Sequence, residues 1–166
     1  MRHEVRPLDR ARHVLTVQMI IPADLQTRAA DLIGSPFKPK GDSQDGWDCR
    51  GLCRWCLREW CGVDVPDYLD LYAAQIVSNG GRRERARLLA EGLATMWRRV
   101  EPQPGTVALL SWMGQAGHVG FMLTPTKILH ADIRVGTAVL DLDDPAAAYG
   151  LKGTFVPAFV TDIRHA

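Results

Sequence analysis

Apolar positions along this chain change their period near residue 100. Before that point they recur mainly every three or four residues. After it they come in short runs rich in β-branched and aromatic residues. The exception is the beginning, where Val14 to Ile21 reads as a short strand. Pro22 then sits where a helix can start without losing a hydrogen bond. Leu25, Ala29, Leu32 and Ile33 carry a helical stripe to Gly34, a natural stop. Ser35 to Gln44 holds Pro36, Pro39 and Gly41 and is read as loop. A second helix is expected from Cys49 to Trp60. Cys49, Cys53, Cys56 and Trp60 lie on one side of it, Arg50, Arg54 and Arg58 on the other, and Gly62 closes it. Tyr68 to Val77 and Arg82 to Val100 complete the helical part, separated by Gly80-Gly81. Strands are expected at Val107–Trp112, Val119–Leu123, Lys127–Ala131, Ala138–Leu142 and Thr154–Val160. Helices first and strands second predicts an α+β fold, with an antiparallel sheet closing on N-terminal helices.

The length of 166 residues favours one domain, with residues 1–21 as an N-terminal arm or extension and 22–166 as the folded unit. A chain of this size buries enough surface to fold without staples. A formal charge of +1 argues against a dedicated nucleic-acid binder. No apolar run reaches the length of a membrane span, and the charged start Met1-Arg2-His3-Glu4-Val5-Arg6 is not read as a signal peptide. All four cysteines, Cys49, Cys53, Cys56 and Cys61, crowd into one short stretch. A disulfide framework would spread them, so free thiols, one of them reactive, or a metal site are expected.

Chemistry concentrates where Gly46-Trp47-Asp48 leads into Cys49. Asp48 is a suitable N-cap. A thiol in the first turn of a helix faces unpaired N–H groups and the positive end of the macrodipole, both of which favour thiolate. Gly51 permits close packing on that turn. The same features also fit a buried structural cysteine. A nucleophilic cysteine needs a base. His118 follows the glycine-bearing segment Gly114-Gln115-Ala116-Gly117 and opens a strand, while His130 ends the next one. A hairpin through Thr124-Pro125-Thr126 would bring both to the same end of the sheet, where a cysteine, a base and an orienting group form a triad.

Trp47-Asp48-Cys49-Arg50-Gly51-Leu52, Pro104-Gly105-Thr106, Gly117-His118-Val119-Gly120-Phe121 and Ile128-Leu129-His130-Ala131, in this order, resemble the NlpC-type cell-wall peptidases. That family has a papain-like fold and cuts peptidoglycan stem peptides. The resemblance implies Cys49 as nucleophile, His118 as general base and His130 as the third, orienting group. It places Phe37, Asp48, Arg50 and Gly117 near the substrate and the oxyanion, and it implies neither metal nor cofactor. Three positions depart from the family pattern. Arg50 replaces a small residue or serine, Phe37 stands where a tyrosine is common, and Thr106 stands for aspartate.

The run Ile33-Gly34-Ser35-Pro36-Phe37, then Gly46-Trp47-Asp48-Cys49, then Gly62-Val63-Asp64-Val65-Pro66-Asp67-Tyr68 looks closest to the subgroup of tailed phages and gene-transfer particles. This implies a tail-tip or baseplate location in the virion, partnership with other phage tail proteins, and peptidoglycan as the target. The preferred bond would be D-γ-glutamyl to a diamino acid. The other reading of the same resemblance is a catalytically silent structural piece of the tail hub.

Cys49-x-x-x-Cys53-x-x-Cys56 also matches the spacing of a radical SAM iron–sulfur motif. The chain is too short for the accompanying barrel, and the elements after the motif do not alternate. A zinc site on Cys53, Cys56, Cys61 and a histidine lacks the second Cys-x-x-Cys knuckle. Cys53 and Cys56 are therefore expected as packing residues under the helix. The arginines at 82, 83, 85 and 87 read as a solvated helix face or as a dock for an acidic partner.

Overall fold

The computed structural model describes residues 17–67, 87, 91 and 94–166. Its named elements are β1 (Val17–Ile21), α1 (Leu25–Ala30), β2 (Asp42–Ser43), β3 (Gly46–Trp47), α2 (Cys49–Cys61), β4 (Trp97–Val100), β5 (Val107–Trp112), β6 (Gln115–Met122), β7 (Lys127–Asp132), β8 (Gly136–Asp141), β9 (Tyr149–Pro157) and β10 (Val160–His165). The helices precede a six-stranded sheet of order β4-β9-β5-β6-β7-β8 in which every pairing is antiparallel. This is the expected α+β architecture. In addition, β1 pairs in parallel with β10, and Met19 and Ile21 of β1 are fully buried.

The helix α2 packs on one face of the sheet. Leu52, Cys53, Cys56, Leu57 and Cys61 meet Val107, Phe121, Leu129, Ala131 and Val156, with Met19, Ile21, Leu25 and Ala29 closing the cluster. Each large aliphatic side chain covered in this way contributes roughly 1.5–3 kcal/mol. Four aromatic rings run through the same layer: Trp47–Trp55 at 5.4 Å, Trp55–Trp60 at 5.6 Å and Trp60–Phe121 at 5.6 Å between centroids. Successive strand residues point to opposite faces, so Ala108, Leu110, Met122 and Ile128 form a second cluster on the other side with Leu140 and Leu151. The central strand β5 is consequently buried from Val107 to Ser111. The three downstream cysteines belong to the first cluster, as packing residues.

The start of α2 is fixed from several directions. Asp48 is extended, at φ −96° and ψ 172°, and its carboxylate accepts the Gly51 N–H at 2.6 Å. Such a cap stabilises a helix by about 1 kcal/mol. Upstream, in the β2–β3 hairpin, Trp47 pairs with Asp42 and Gly46 with Ser43, and Trp47 also bridges in parallel to Phe37. The Asp48 N–H reaches Gly41 O at 3.0 Å. Gly51 sits so close to Gly41 O that a Cβ would collide with it. At the other end Gly62 takes the left-handed conformation, φ 69°, and returns its N–H to Leu57 O.

Several expectations are corrected. Trp97 to Val100 is not the end of a helix. It is β4, hydrogen-bonded to β9, and the Thr154 hydroxyl caps Val100 O at 2.6 Å. The unpaired edge of β9 overrides the local helical pattern, since pairing satisfies a whole row of backbone groups. The segments expected as helix at 68–77 and for most of 82–96 lie outside the described residues, as do residues 1–16. Of the arginine run, Arg87 is described, and it pairs with Glu91 at 2.6 Å. His118 does not open its strand: β6 already begins at Gln115, because Met113 and Gly114, both at positive φ, reverse the chain in two residues. The strand expected at Thr154–Val160 is divided, with β9 starting at Tyr149 and β10 at Val160.

The contact at Gly51 gives a direct test. Gly51→Ala forces the added methyl into the Gly41 carbonyl, and overpacking of this kind destabilises by about 1–3 kcal/mol. Urea denaturation is expected to show a lower midpoint at an unchanged slope; an unmoved midpoint would contradict the close approach.

Candidate active site

Cys49 is the first residue of α2 and remains partly exposed. The neighbouring strand reaches it through main chain: the Val119 N–H donates toward the Cys49 thiol. That contact brings the residue following His118 against the candidate nucleophile, across the packing of α2 on β6. Burial is the main influence on the thiol and pushes its pKa up to about 11, with Asp48 adding to the rise and the Val119 N–H opposing it. The macrodipole expected to favour thiolate is thus outweighed by desolvation in the resting state. Cys53 and Cys56 are pushed well above the ordinary thiol range by burial, and Cys61 to about 12.

His118 and His130 meet directly. The Nε2 atom of His118 lies 2.9 Å from Nδ1 of His130, with the rings nearly perpendicular at 80°. The hairpin through Thr124-Pro125-Thr126 makes this possible, and the Thr124 hydroxyl ties it by accepting the N–H groups of Thr126 and Lys127 at 3.2 and 2.9 Å. Two glycines adjust the approach. In the β5–β6 ladder Leu110 faces His118 and Ser111 faces Ala116, which leaves Gly117 as the extra residue of a β-bulge just before His118. Gly120 lies beside His130, where a Cβ would come within 3.3 Å of the histidine Cβ and collide with Ile128. Burial lowers the pKa of both histidines, that of His118 to about 4, with the neighbouring His130 as its second cause. Both imidazoles are therefore neutral near pH 7.

The other expected site residues are placed as follows. Asp48 is buried, and burial raises its pKa against the pull of the Gly51 N–H and Arg50. Arg50 is turned to the main chain: Nη1 donates to Asp67 O at 2.6 Å and Nε lies 3.7 Å from Asp48. Phe37 bridges to Trp47, two residues before Cys49, and packs on the core. Thr106 is spent locally, its hydroxyl donating to Gln103 O at 2.8 Å.

Beside the histidines is a group that the linear reading did not include. Tyr149, the first residue of β9, stacks on His118 with centroids 4.9 Å apart and planes at 24°, and meets His130 edge-on at 5.4 Å. Its hydroxyl donates to Asp132 at 2.6 Å. Asp132 is buried and also accepts the main-chain N–H of Arg134 at 2.7 Å and two guanidinium donors at 3.1 and 3.0 Å. Those bonds hold its carboxyl far below the usual carboxylate range, with the Arg134 side chain the leading cause. The Arg134 guanidinium lies over the Trp112 ring at 5.8 Å. One signal was available for Asp132, because residues two apart on a strand share a face and it follows His130 at that spacing. Nothing near Tyr149 in the sequence ties it to His118. Among the described residues no group of three or more His, Cys, Asp or Glu side chains could hold a metal ion, and no helix is long and apolar enough to cross a membrane.

No curated protein matches the chain. Among solved structures it is similar to the NlpC/p60 domain of the peptidoglycan hydrolase SagA, at 18% identity and a TM-score of 0.47, covering 78% of this chain and 96% of that one. It is also similar to a lipoprotein-like NLP/P60 protein of Staphylococcus aureus, at 18% identity and a TM-score of 0.48 over 79% of this chain. A third is an NlpC/P60 protein of Bacillus cereus, at 18% identity and a TM-score of 0.49 over 79% of this chain. The chain spans 39% and 38% of the length of the latter two. The family model of NlpC/P60 matches residues 34–151, which run from the end of the α1 turn through the start of β9 and include Cys49, His118 and His130. The chain belongs to the NlpC/P60 family.

Proposed function

We propose that this protein is a cysteine endopeptidase of peptidoglycan, with Cys49 as nucleophile, His118 as base and His130 as orienting group. The observation that carries the reading is the 2.9 Å contact between His118 Nε2 and His130 Nδ1. It commits one nitrogen of His118 to His130 and leaves Nδ1 for the thiol. For Nδ1 to accept a proton, Nε2 must carry one and donate it to His130 Nδ1, so His130 holds its own proton on Nε2.

The neutral resting pair sets the order of events. With the thiol at about 11 and His118 at about 4, a standing thiolate–imidazolium pair is disfavoured. Proton transfer from Cys49 to His118 accompanies attack of sulfur on the scissile carbonyl. Main-chain N–H groups in the first turn of α2 face the developing oxyanion. The tetrahedral adduct collapses as His118 returns the proton to the leaving amine, and an acyl-enzyme remains. Water then attacks, giving its proton to His118. Collapse releases the carboxylic acid, and the sulfur recovers its proton.

The finer assignment is a phage-tail enzyme that cuts between D-γ-glutamate and a diamino acid and acts at the host wall from the tail tip or baseplate. The tail role is supported by the spacing of Phe37, Cys49 and the Gly62–Tyr68 run, which resembles that subgroup, and the bond by the resemblance to the family as a whole. Gold labelling of purified particles is expected to mark the tail tip. Label found only in the unassembled fraction would remove this part of the proposal.

Wild-type protein is expected to release new amino groups from isolated murein, and Cys49→Ala to lower the rate by at least about a thousand-fold, as loss of a nucleophile does. Equal release by the two proteins would leave a silent structural piece of the tail hub as the reading. The pH dependence follows from His118. A base whose pKa is held below its ordinary 6.5 stays competent in mild acid. The acid limb of kcat/KM is expected below pH 6, and a limb at or above 6.5 would contradict the burial of His118. Stability follows the same sign: between pH 6.5 and 4 the unfolded chain binds protons at His118 that the folded one refuses, so stability falls as pH drops through that window.

A further inference from the structure

Tyr149 makes contacts that packing alone does not require. Its ring lies face to face with His118, and its hydroxyl is fixed to a carboxylate that is itself fully engaged. Asp132 accepts from the Tyr149 hydroxyl, the Arg134 main chain and two Arg134 guanidinium nitrogens. Four donors on two oxygens leave Asp132 unable to swing toward either histidine. The phenol is therefore anchored at its far end, and the plane of its ring is set.

That anchored plane acts on His118. His130 fixes only one direction of the His118 ring, the line through Nε2, and a single hydrogen bond still allows rotation about that line. A stacked aromatic face at 4.9 Å and 24° removes this freedom. We propose that Tyr149, clamped by Asp132 and Arg134, is a positioning residue of the histidine pair. It holds the His118 imidazole in the orientation that keeps Nε2 on His130 while Nδ1 is presented to Cys49. A stacked phenol ring also favours the imidazolium that forms during turnover, since a cation over an aromatic face is attracted to it. Trp112, opposite Tyr149 in the β5–β9 ladder and under the Arg134 guanidinium, completes the cover at that end of the sheet.

The charged and titratable groups that act on His118 are His130 and Asp132 on β7 and Arg134 in the turn after it, with Tyr149 of β9 stacked on its ring. Removing the phenol ring admits water to His118. Desolvation is the largest influence on this histidine, so its pKa then rises toward the ordinary value and the acid limb moves to higher pH.

This inference rests on the Cys49–His118 pairing proposed above, and the first readout of its test needs no murein. The rate of Cys49 alkylation by iodoacetamide is followed against pH in wild type, Tyr149→Leu, Tyr149→Phe and His118→Ala, with folding checked by circular dichroism. The leucine variant is expected to shift its alkylation profile toward that of His118→Ala. On murein its kcat should fall by about ten-fold or more with KM within about two-fold, a loss in the range that misplacement of a catalytic group produces. The phenylalanine variant keeps the stack but loses the clamp, and it is expected to show a shift of the same direction with about a three-fold loss of kcat. A folded leucine variant with the wild-type profile and kcat would overturn the proposal. Should it fail to fold, the phenylalanine variant decides alone, and an unaltered profile and kcat there would overturn it. Absence of murein cleavage in every protein, with the alkylation profiles still separated, would refute the substrate and leave the role of Tyr149 standing.

Discussion

The seating of the first turn of α2 is the constraint on which the rest of the site depends. Cys49 on a helix and His118 on a sheet belong to separate elements, and only the packing between those elements sets their approach. Here the turn is held by the buried Asp48 carboxylate on the Gly51 N–H and by contact of Gly51 with the Gly41 backbone. The Asp48 N–H adds a third tie to the same loop. With the turn fixed there, the main chain of β6 can reach Cys49 through the Val119 N–H. Moving the turn outward by a methyl group would disturb cap, loop and strand contact together, because all converge on four residues.

Burial sets the protonation of the site, and hydrogen bonds correct it. Desolvation is the leading influence on Cys49, His118 and His130, and it drives each toward its neutral form. Asp132 escapes this trend because Arg134 and Tyr149 satisfy its charge. Asp132, paired with Arg134, therefore places a negative charge close to two neutral imidazoles. That charge favours protonation of His118 and opposes the desolvation that suppresses it. The arrangement suits the base role proposed for His118, neutral at rest and cationic only during turnover.

Much of the architecture was legible because it rests on local rules. Asp48 and Gly62 bracket α2 through capping chemistry, which operates within four residues. The strand at Val107–Trp112 and the hairpin through Thr124 follow from runs of strand-forming residues and from turn chemistry. Less legible were positions decided by distant partners. Trp97–Val100 continues a helical pattern yet pairs with β9, and β6 starts earlier than its apolar residues suggest because a two-residue turn at Met113–Gly114 already reverses the chain.

The candidate site divides in the same way. By itself the sequence determined the helix-start cysteine, the two histidines on one hairpin, and the role of Cys53 and Cys56 as packing, because spacing within an element fixes which face a side chain takes. Only the tertiary structure decided that a β-bulge at Gly117 sets the approach of His118, and that Arg50 serves the Asp67 carbonyl. It alone decided that Tyr149 arrives from the ninth strand to stack on His118. Strand order is the reason: β9 inserts between β4 and β5, and no local pattern in the chain encodes which distant strand will lie beside another.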